Sequence, residues 1–496
     1  MSDLEGLSER KLEHVLKGVA IKKVIGSIDL QISAVVIDSR KSCNNGFFVA
    51  LHGSNVDGHD YITPAINLGC SVVTCENLPA TLIDNVTYVV VENTTTALGI
   101  IASNFYDNPS SKLKLIAVTG TNGKTSTAIL LSELFENLEY KVGVISTIFV
   151  KLGDSQILPS SLTTPDILSI NKFLNSMVSI GCEYCFMEAS SHAINQDRIF
   201  GLEFAGAIFT NITHDHIDYH KTFDNYIKSK KKLFDNLPES AFALVNTDDK
   251  HWGVMLQNTK ATKYTFSLKN KALFRTKIIS NTINGLELLI DNNKVSFQLI
   301  GEFNAYNLLA AYSVACITGE NPENVLIALS KSNPIEGRFQ YICESSGFYA
   351  IVDYAHTPDA LLNVLKTILK VKNKNGRVIT VIGCGGNRDS LKRPVMAKVA
   401  CQYSDVVIIT TDNPRYEDPE KIVCDMKDGL NEIDNRKVLC ILDRAMAICK
   451  ACDLANTNDI VLIAGKGHEK YQEIRGERNY FCDFEILKSH INKYIK

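Results

Sequence analysis

The stretch LIAVTGTNGKTST, Leu115 to Thr127, runs from branched apolar residues into a glycine turn and then into residues suited to a helix. A strand that feeds a helix through a turn closed by Gly123-Lys124-Thr125 is the frame of a phosphate-binding loop, in which backbone N–H groups and a helix N-terminus face anionic oxygens. The loop is two residues short. The common pattern G-x-x-x-x-G-K-[ST] has its first glycine where this chain has Val118, and Gly120 arrives late. A plain glycine turn would explain the glycines but not the ordered Lys-Thr-Ser-Thr behind them. Lys124 offers a point charge, and Thr125 a hydroxyl that can reach Mg2+.

Around this loop, short β-branched runs alternate with helical stretches, the signature of parallel α/β architecture. The chain of 496 residues exceeds one ordinary core, and domains of roughly 100–200 residues suggest three of them. ISAVVIDSR, FFVALHG, AINLGCSVVTCEN and VTYVVVEN form a first unit, which ends at the linker-like Asp107-Asn108-Pro109-Ser110-Ser111. A second unit runs from the phosphate loop to SNPIEGRF. In a third, FYAIVDYAH, GRVITVIGCGG, SDVVIITTDNP and DIVLIAGKGHE each place a polar loop at a strand's C-terminal end, the edge where open α/β sheets bind ligands. The expected fold is therefore α/β in three domains. Residues 1–110 form a smaller α/β N-terminal domain, 111–336 a central P-loop ATPase-like domain with a mostly parallel sheet, and 337–496 a Rossmann-like C-terminal domain. Residues 257–300 carry no motif.

A net charge of -3 argues against a general nucleic-acid or anionic-membrane binder, so anionic ligands must be held by local placement. The start, MSDLEGLSERKLEHVL, has no apolar core of a signal segment, and no later run approaches a spanning helix. A cytoplasmic protein without membrane insertion is expected. The 14 cysteines are scattered through apolar segments, as free thiols are in a reducing compartment. The pairs Cys182/Cys185 and Cys449/Cys452 lack the turns of zinc knuckles.

Downstream, FMEASSH puts Glu188 at the end of an apolar strand, where a carboxylate is costly unless it meets a cation. After AGAIF, the loop THDHIDYH brings His214, Asp215, His216, Asp218 and His220. Carboxylates and imidazoles at adjacent strand ends beside a phosphate loop suit a divalent metal. By itself, KSKKK (228–232) reads as a solvated helix face.

The loop GTNGKT, the Glu188 strand end, THDHIDYH, GEFNAYN, GRF and VDYAHTPDA occur in the order that resembles the Mur ligases, ATP-dependent peptide-forming enzymes of peptidoglycan assembly. IDSR, LTTPD, EASSHAINQDR, GCGGNRD, DNPR and GKGHE are similar to the branch that adds the third residue of the peptide. The resemblance implies phosphorylation by ATP of the D-Glu side chain of UDP-MurNAc-L-Ala-D-Glu, then attack of an amine on the acyl phosphate, in a monomer that binds small-molecule substrates and no nucleic acid. It implies that Gly120, Thr121, Asn122, Gly123, Lys124, Thr125 and Ser126, with Asn304, Asn307, Asp353 and His356, hold ATP. Thr125, Glu188 and His216 would form the Mg2+ neighbourhood, Lys230 would be carbamylated by CO2, and Arg338 would add positive charge. Ile37, Ser39, Ser54, Asn55 and Val56 would contact the uridine part. Thr163, Thr164, Ser190, Gln196 and Arg198 would reach the rest of that substrate, although Leu162 stands where some relatives have asparagine. Arg388, Asp412, Asn413, Pro414, Arg415, Gly465 and Glu469 would take the incoming amino acid. The guanidinium fork of Arg415 matches a far-end carboxylate, so meso-diaminopimelate is expected over L-lysine. Lysine addition, a folate-polyglutamating relative, and a P-loop kinase or hydrolase that forms no amide are the alternatives.

Overall fold

The computed structural model describes residues 9–53, 56–154, 156–160, 162–343 and 347–493. Ser54 and Asn55, expected near the uridine, lie outside the described residues.

Three sheets follow one another along the chain. The first has five strands in the order Ile21–Ile25, Thr87–Val91, Cys70–Cys75, Gly46–Val49, Ala34–Val36. Only its Ile21–Ile25 edge is antiparallel. Helix Thr94–Phe105 covers it, started by Asn93, whose side chain accepts from Thr96 N.

The second sheet has eleven strands, of which six parallel ones form the centre: Val142–Ile145, Tyr184–Glu188, Lys114–Thr119, Gly206–Phe209, Phe242–Asn246 and Thr262–Ser267. Strands such as Leu-Ile-Ala-Val and Cys-Phe-Met are apolar on both faces because helices bury both. Lys124–Asn137 and Glu302–Ile317 pack on one face, and Ile167–Ser179 and Phe223–Asp235 on the other. Residues 257–300, silent in the sequence, extend this sheet. They supply Thr262–Ser267 and an antiparallel meander, Phe274–Thr282, Gly285–Ile290 and Asn293–Phe297. Leu286, Leu288, Ile290 and Phe297 of the meander join the central core.

The third sheet runs Gln340–Cys343, Tyr349–Asp353, Ile460–Ala464, Val378–Ile382, Val406–Ile409, Val438–Cys440, parallel except at its Gln340–Cys343 edge. The C-terminal ends of its strands point their loops toward the phosphate loop of the central sheet.

Polar contacts hold the third domain against the central one. Asp359, in the first turn of helix Pro358–Val371, accepts from Asn122 Nδ2 at 3.2 Å and Thr213 Oγ1 at 2.9 Å. Glu302 receives Lys370 at 2.9 Å, and Glu336 receives Lys470 at 2.9 Å. The two ion pairs are exposed enough to contribute little each. Asp359 binds the phosphate loop itself, and hydrogen bonds to a charged acceptor contribute on the order of 1.5–3 kcal/mol. Asp359→Ala is expected to open the interface, raising the radius of gyration in solution scattering and the KM for nucleotide several-fold; an unchanged scattering curve would refute this role.

Candidate active site

The phosphate loop is held open by contacts that leave no room for side chains. Gly120 has φ +153°, and a Cβ there would lie 1.9 Å from Thr210 Oγ1; Gly123 has φ +87°, with Asn307 Oδ1 2.8 Å from its would-be Cβ. Asn211 fixes the turn by accepting from Thr121 N with its carbonyl and from Asn122 N with its side chain, while Thr210 Oγ1 donates to Asn122 O at 2.7 Å.

Two lysine amino groups meet on this loop. Lys124 Nζ donates to Gly120 O at 2.9 Å and Thr121 O at 2.8 Å. Lys230 Nζ donates to the same Gly120 O at 2.8 Å and lies 4.7 Å from the centre of the Tyr226 ring. Burial lowers the pKa of Lys124, opposed by Glu188 and Asp215, and pushes that of Lys230 far down, with Lys124 adding to the depression. The helix face at 228–232 is therefore not a solvated lysine run: Lys230 is 1% exposed, while Lys228 is exposed and Lys231 and Lys232 pair with Asp235 and Asp197.

Carboxylates and imidazoles face the lysines. Glu188, fully buried, accepts from Thr147 N at 2.6 Å and Thr147 Oγ1 at 3.1 Å. His216 lies in the cleft wall at φ +54°, its Nε2 3.5 Å from Asp215 Oδ2. Desolvation lowers its pKa, against the pull of Asp215 and with the push of Lys124 and Lys230. His192, T-shaped on His216, is pushed down to about 4, chiefly by burial. His220 turns away to Ser191 Oγ at 3.0 Å, and His214 stacks on Phe223.

From Glu188 a polar chain leads outward. Thr147 Oγ1 accepts from Thr163 Oγ1 at 3.1 Å; Thr164 Oγ1 donates to Glu188 O at 2.8 Å and accepts from Ser190 N; Arg198 donates to Thr164 O at 2.6 Å and to Gln196 Oε1. Thr163, Thr164, Ser190, Gln196 and Arg198 are thus one connected group. Ile37, Ser39 and Val56 stand in the first domain and do not line the cleft of about 1720 Å³ in which the other elements meet. Asn307 lines that cleft, whereas Asn304 stands behind it and accepts from Asn307 Nδ2.

The linker and third domain close the cleft. Arg338 Nη2 donates to Thr125 Oγ1 at 3.1 Å, and its guanidinium lies 4.5 Å from the Tyr354 ring centre. Asp353 accepts from Phe339 N and Ala355 N, and burial raises its pKa. His356 Nδ1 donates to Tyr354 O; burial and Lys392 hold its pKa at about 4. Farther in, Asn413 Nδ2 donates to Glu469 Oε2 at 2.9 Å, and Asp412 Oδ2 lies 2.8 Å from where Gly465 would carry a Cβ. Arg415, at φ +52°, donates through Nη1 to Gly386 O at 2.8 Å, its Nε 3.8 Å from Glu473. Pro414 packs its carbonyl against Gly386, and Arg388 is exposed on the rim. Thr147, His192, Tyr354 and Lys466 belong to the site but escaped the sequence reading; His192 in EASSHAINQDR, Tyr354 in VDYAHTPDA and Lys466 in GKGHE sat in motifs that had been singled out, and Thr147 did not.

Outside the cleft, His52, Asp57 and His59 bring their ligand atoms within 4.8 Å of one another. His59 Nε2 accepts from Glu76 N, so its Nδ1 carries the proton donated to Asp57, and the group is a hydrogen-bonded network. Among the described residues no helix is long and apolar enough to cross a membrane.

A nucleotide loop that shares one cleft with a second, charge-lined pocket defines a class: enzymes that activate one substrate with a nucleoside triphosphate and join it to another. Family models match in chain order: the Mur ligase family catalytic domain at 31–106, the Mur ligase middle domain at 118–315 and the Mur ligase glutamate ligase domain at 337–467. The chain is 52% identical over 478 residues, 96% of this chain and 99% of the relative, to the UDP-N-acetylmuramoyl-L-alanyl-D-glutamate–2,6-diaminopimelate ligase of Phocaeicola vulgatus. It is 38% identical to a ligase of the same name from Clostridium acetobutylicum, with 97% of this chain and 99% of the relative covered. A solved structure of that type of ligase superposes with TM-score 0.69 at 30% identity, covering 99% of this chain and 100% of the other. The chain belongs to the Mur ligase family.

Two substitutions probe the loop. Gly120→Ala must displace Thr210 and break its bond to Asn122, so nucleotide binding measured by calorimetry is expected to fall by at least about tenfold, with a strain cost on the order of 1–3 kcal/mol in the melt. Lys230 has a depressed pKa in the fold, so the unfolded chain binds more protons and stability contributed by this residue rises with pH up to the ordinary lysine value. Lys230→Met is therefore expected to keep or raise the neutral-pH melting temperature and to flatten that pH dependence while turnover is lost. A large drop in melting temperature would show that Lys230 holds the fold instead.

Proposed function

We propose that the protein joins meso-diaminopimelate to the D-Glu side chain of UDP-MurNAc-L-Ala-D-Glu, with conversion of ATP to ADP and phosphate. The observation that carries this reading is Arg415, half-buried beside Asp412, Asn413 and Glu469, in the same cleft as Lys124 and the phosphate loop. An amino acid with a second carboxylate gives the guanidinium a two-pronged partner, which lysine lacks.

The reading assigns the chemistry to the residues as follows. The loop N–H groups, Lys124 and Arg338 bind and orient the triphosphate and offset the charge that develops on the transferring phosphoryl group. The D-Glu carboxylate oxygen attacks the γ-phosphorus, the bond to ADP breaks, and an acyl phosphate forms. The acceptor amine, held by the third domain, attacks the acyl carbon; it loses a proton, phosphate leaves with the bonding electrons, and the amide remains. Carboxylates are poor acylating agents, and phosphorylation supplies the leaving group. Thr163, Thr164, Ser190, Gln196 and Arg198 would position the nucleotide-sugar peptide, and Ile37, Ser39 and Val56 its uridine. Closing the third domain keeps water from the acyl phosphate.

Thr125, Glu188 and His216 would hold Mg2+, which would supply neutralising charge on phosphate oxygens; a fully buried carboxylate and a threonine hydroxyl that line one cleft fit such an ion. The depressed Lys230 amine is the neutral form that adds CO2, losing a proton to become a carbamate anion able to bridge to a cation. In this reading the enzyme is a monomer that works on small molecules in the cytoplasm.

The decisive measurement is phosphate release with Mg-ATP and UDP-MurNAc-L-Ala-D-Glu in the presence of meso-diaminopimelate, L-lysine or no acceptor. Release and tripeptide with diaminopimelate alone are expected; lysine turnover would remove the fork argument, and acceptor-independent release would indicate a hydrolase. Arg415→Ala is expected to raise the KM for diaminopimelate about tenfold or more, as loss of a charge-assisted pair does, with the KM for ATP little changed. Equal losses for both substrates would refute the assigned role.

A further inference from the structure

Lys466 is a lysine with no exposed surface, in a domain whose other lysines, among the described residues, reach solvent. Its Nζ donates to Asn413 Oδ1 at 3.0 Å and to Glu469 Oε2 at 3.1 Å, and lies 5.4 Å from the centre of the Tyr471 ring. Asn413 completes a triangle by donating from Nδ2 to Glu469 Oε2, and its Oδ1 also accepts from Glu473 N. The triangle fixes which way the Asn413 amide faces. It also occupies one oxygen of Glu469, and leaves Oε1 to face the pocket.

Two carboxylates, Asp412 and Glu469, face this pocket, and burial and Asp412 make ionisation of Glu469 harder. A buried pair of this kind does not stay doubly charged without a cation. Lys466 is the ammonium in hydrogen-bond contact with Glu469. The buried guanidinium of Arg444, which supports both loops from behind by donating to Thr411 O and Ala464 O, is itself paired with Asp483.

We propose that Lys466 is a positioning residue that sets acceptor specificity: it ties the Asp412–Arg415 loop to the Gly465–Glu469 loop through Asn413 and Glu469 and sets an ammonium against the Glu469 carboxylate, so that the pocket binds an amino acid through its ammonium group. This rests on the reading that the third-domain pocket takes the acceptor amino acid. Lys466 itself touches no substrate in this scheme; it acts through Asn413 and Glu469.

The test compares wild type with Lys466→Met, which keeps length and removes the charge. The groups facing Glu469 are Lys466, Asp412, Tyr354, Tyr471 and Arg444. Without Lys466, burial and Asp412 act on Glu469 unopposed by a contacting cation, so it protonates nearer neutrality. The KM for diaminopimelate is expected to rise about tenfold or more, and to fall again as pH is raised from 6.5 to 8.5, with the KM for ATP changed less than about threefold. Glu469→Gln alone and the double variant control for misfolding: once the carboxylate is gone the ammonium has nothing to hold, so adding Lys466→Met to Glu469→Gln should cost much less than it costs in wild type. Additive losses in the double variant, or a pH-independent loss that raises both KM values together, would overturn the proposal. If the wild-type protein itself shows no amino-acid-dependent turnover, the reading of the pocket fails first, and the two failures are thereby separate.

Discussion

The carbonyl oxygen of Gly120 is the point on which the central cleft depends, because it receives amino groups from both Lys124 and Lys230. Two full positive charges on one acceptor in a buried site are unfavourable, and the depression of the Lys230 pKa by burial and by Lys124 reflects it. Lys124 is thereby left as the ammonium of the loop, with Glu188 and Asp215 favouring its charged form. In the short loop the carbonyl of Gly120 turns toward the lysines and Thr121 and Asn122 give their N–H groups to Asn211, so the N–H groups at the start of helix Lys124–Asn137 are the ones placed for phosphate oxygens.

The third domain repeats the logic with the signs reversed. There a pair of carboxylates is the potential liability and a buried lysine is the remedy. Both pockets open into one cleft, so the molecule sets a site that draws phosphate beside a site that draws an amine. The fold allows this because each sheet presents the C-terminal ends of its parallel strands to the same space. Asp359 and Arg338 bind the two edges together across that space.

Much of this was legible in the sequence, for physical reasons that differ from place to place. The phosphate loop announces itself because strand, turn and helix are contiguous and glycine is the only residue that fits at 120. Glu188 was legible because a carboxylate that ends an apolar strand needs a partner. Lys230 was not, since four lysines in five residues look solvated; the signal available was its place in the stripe Tyr226, Ile227, Leu233, Phe234, which faces the core. Asn304 and Asn307 share a motif and a helix face, yet one touches the loop and the other supports it, a distinction set by tertiary packing. The meander at 274–297 had alternating residues too mixed in polarity to stand out, because one of its faces meets solvent. Lys466 was passed over because a lysine in a loop is ordinarily at the surface.

The connection between the second and third domains passes through the cleft. Gly337 lies so close to His468 that a Cβ there would fall 2.0 Å from the His468 nitrogen, and the next residue, Arg338, reaches Thr125. A pivot located at the chemistry cannot turn without withdrawing the guanidinium from the phosphate loop. The seating of the third domain and the reach of Arg338 onto the phosphate loop are therefore mechanically linked: one cannot change without the other.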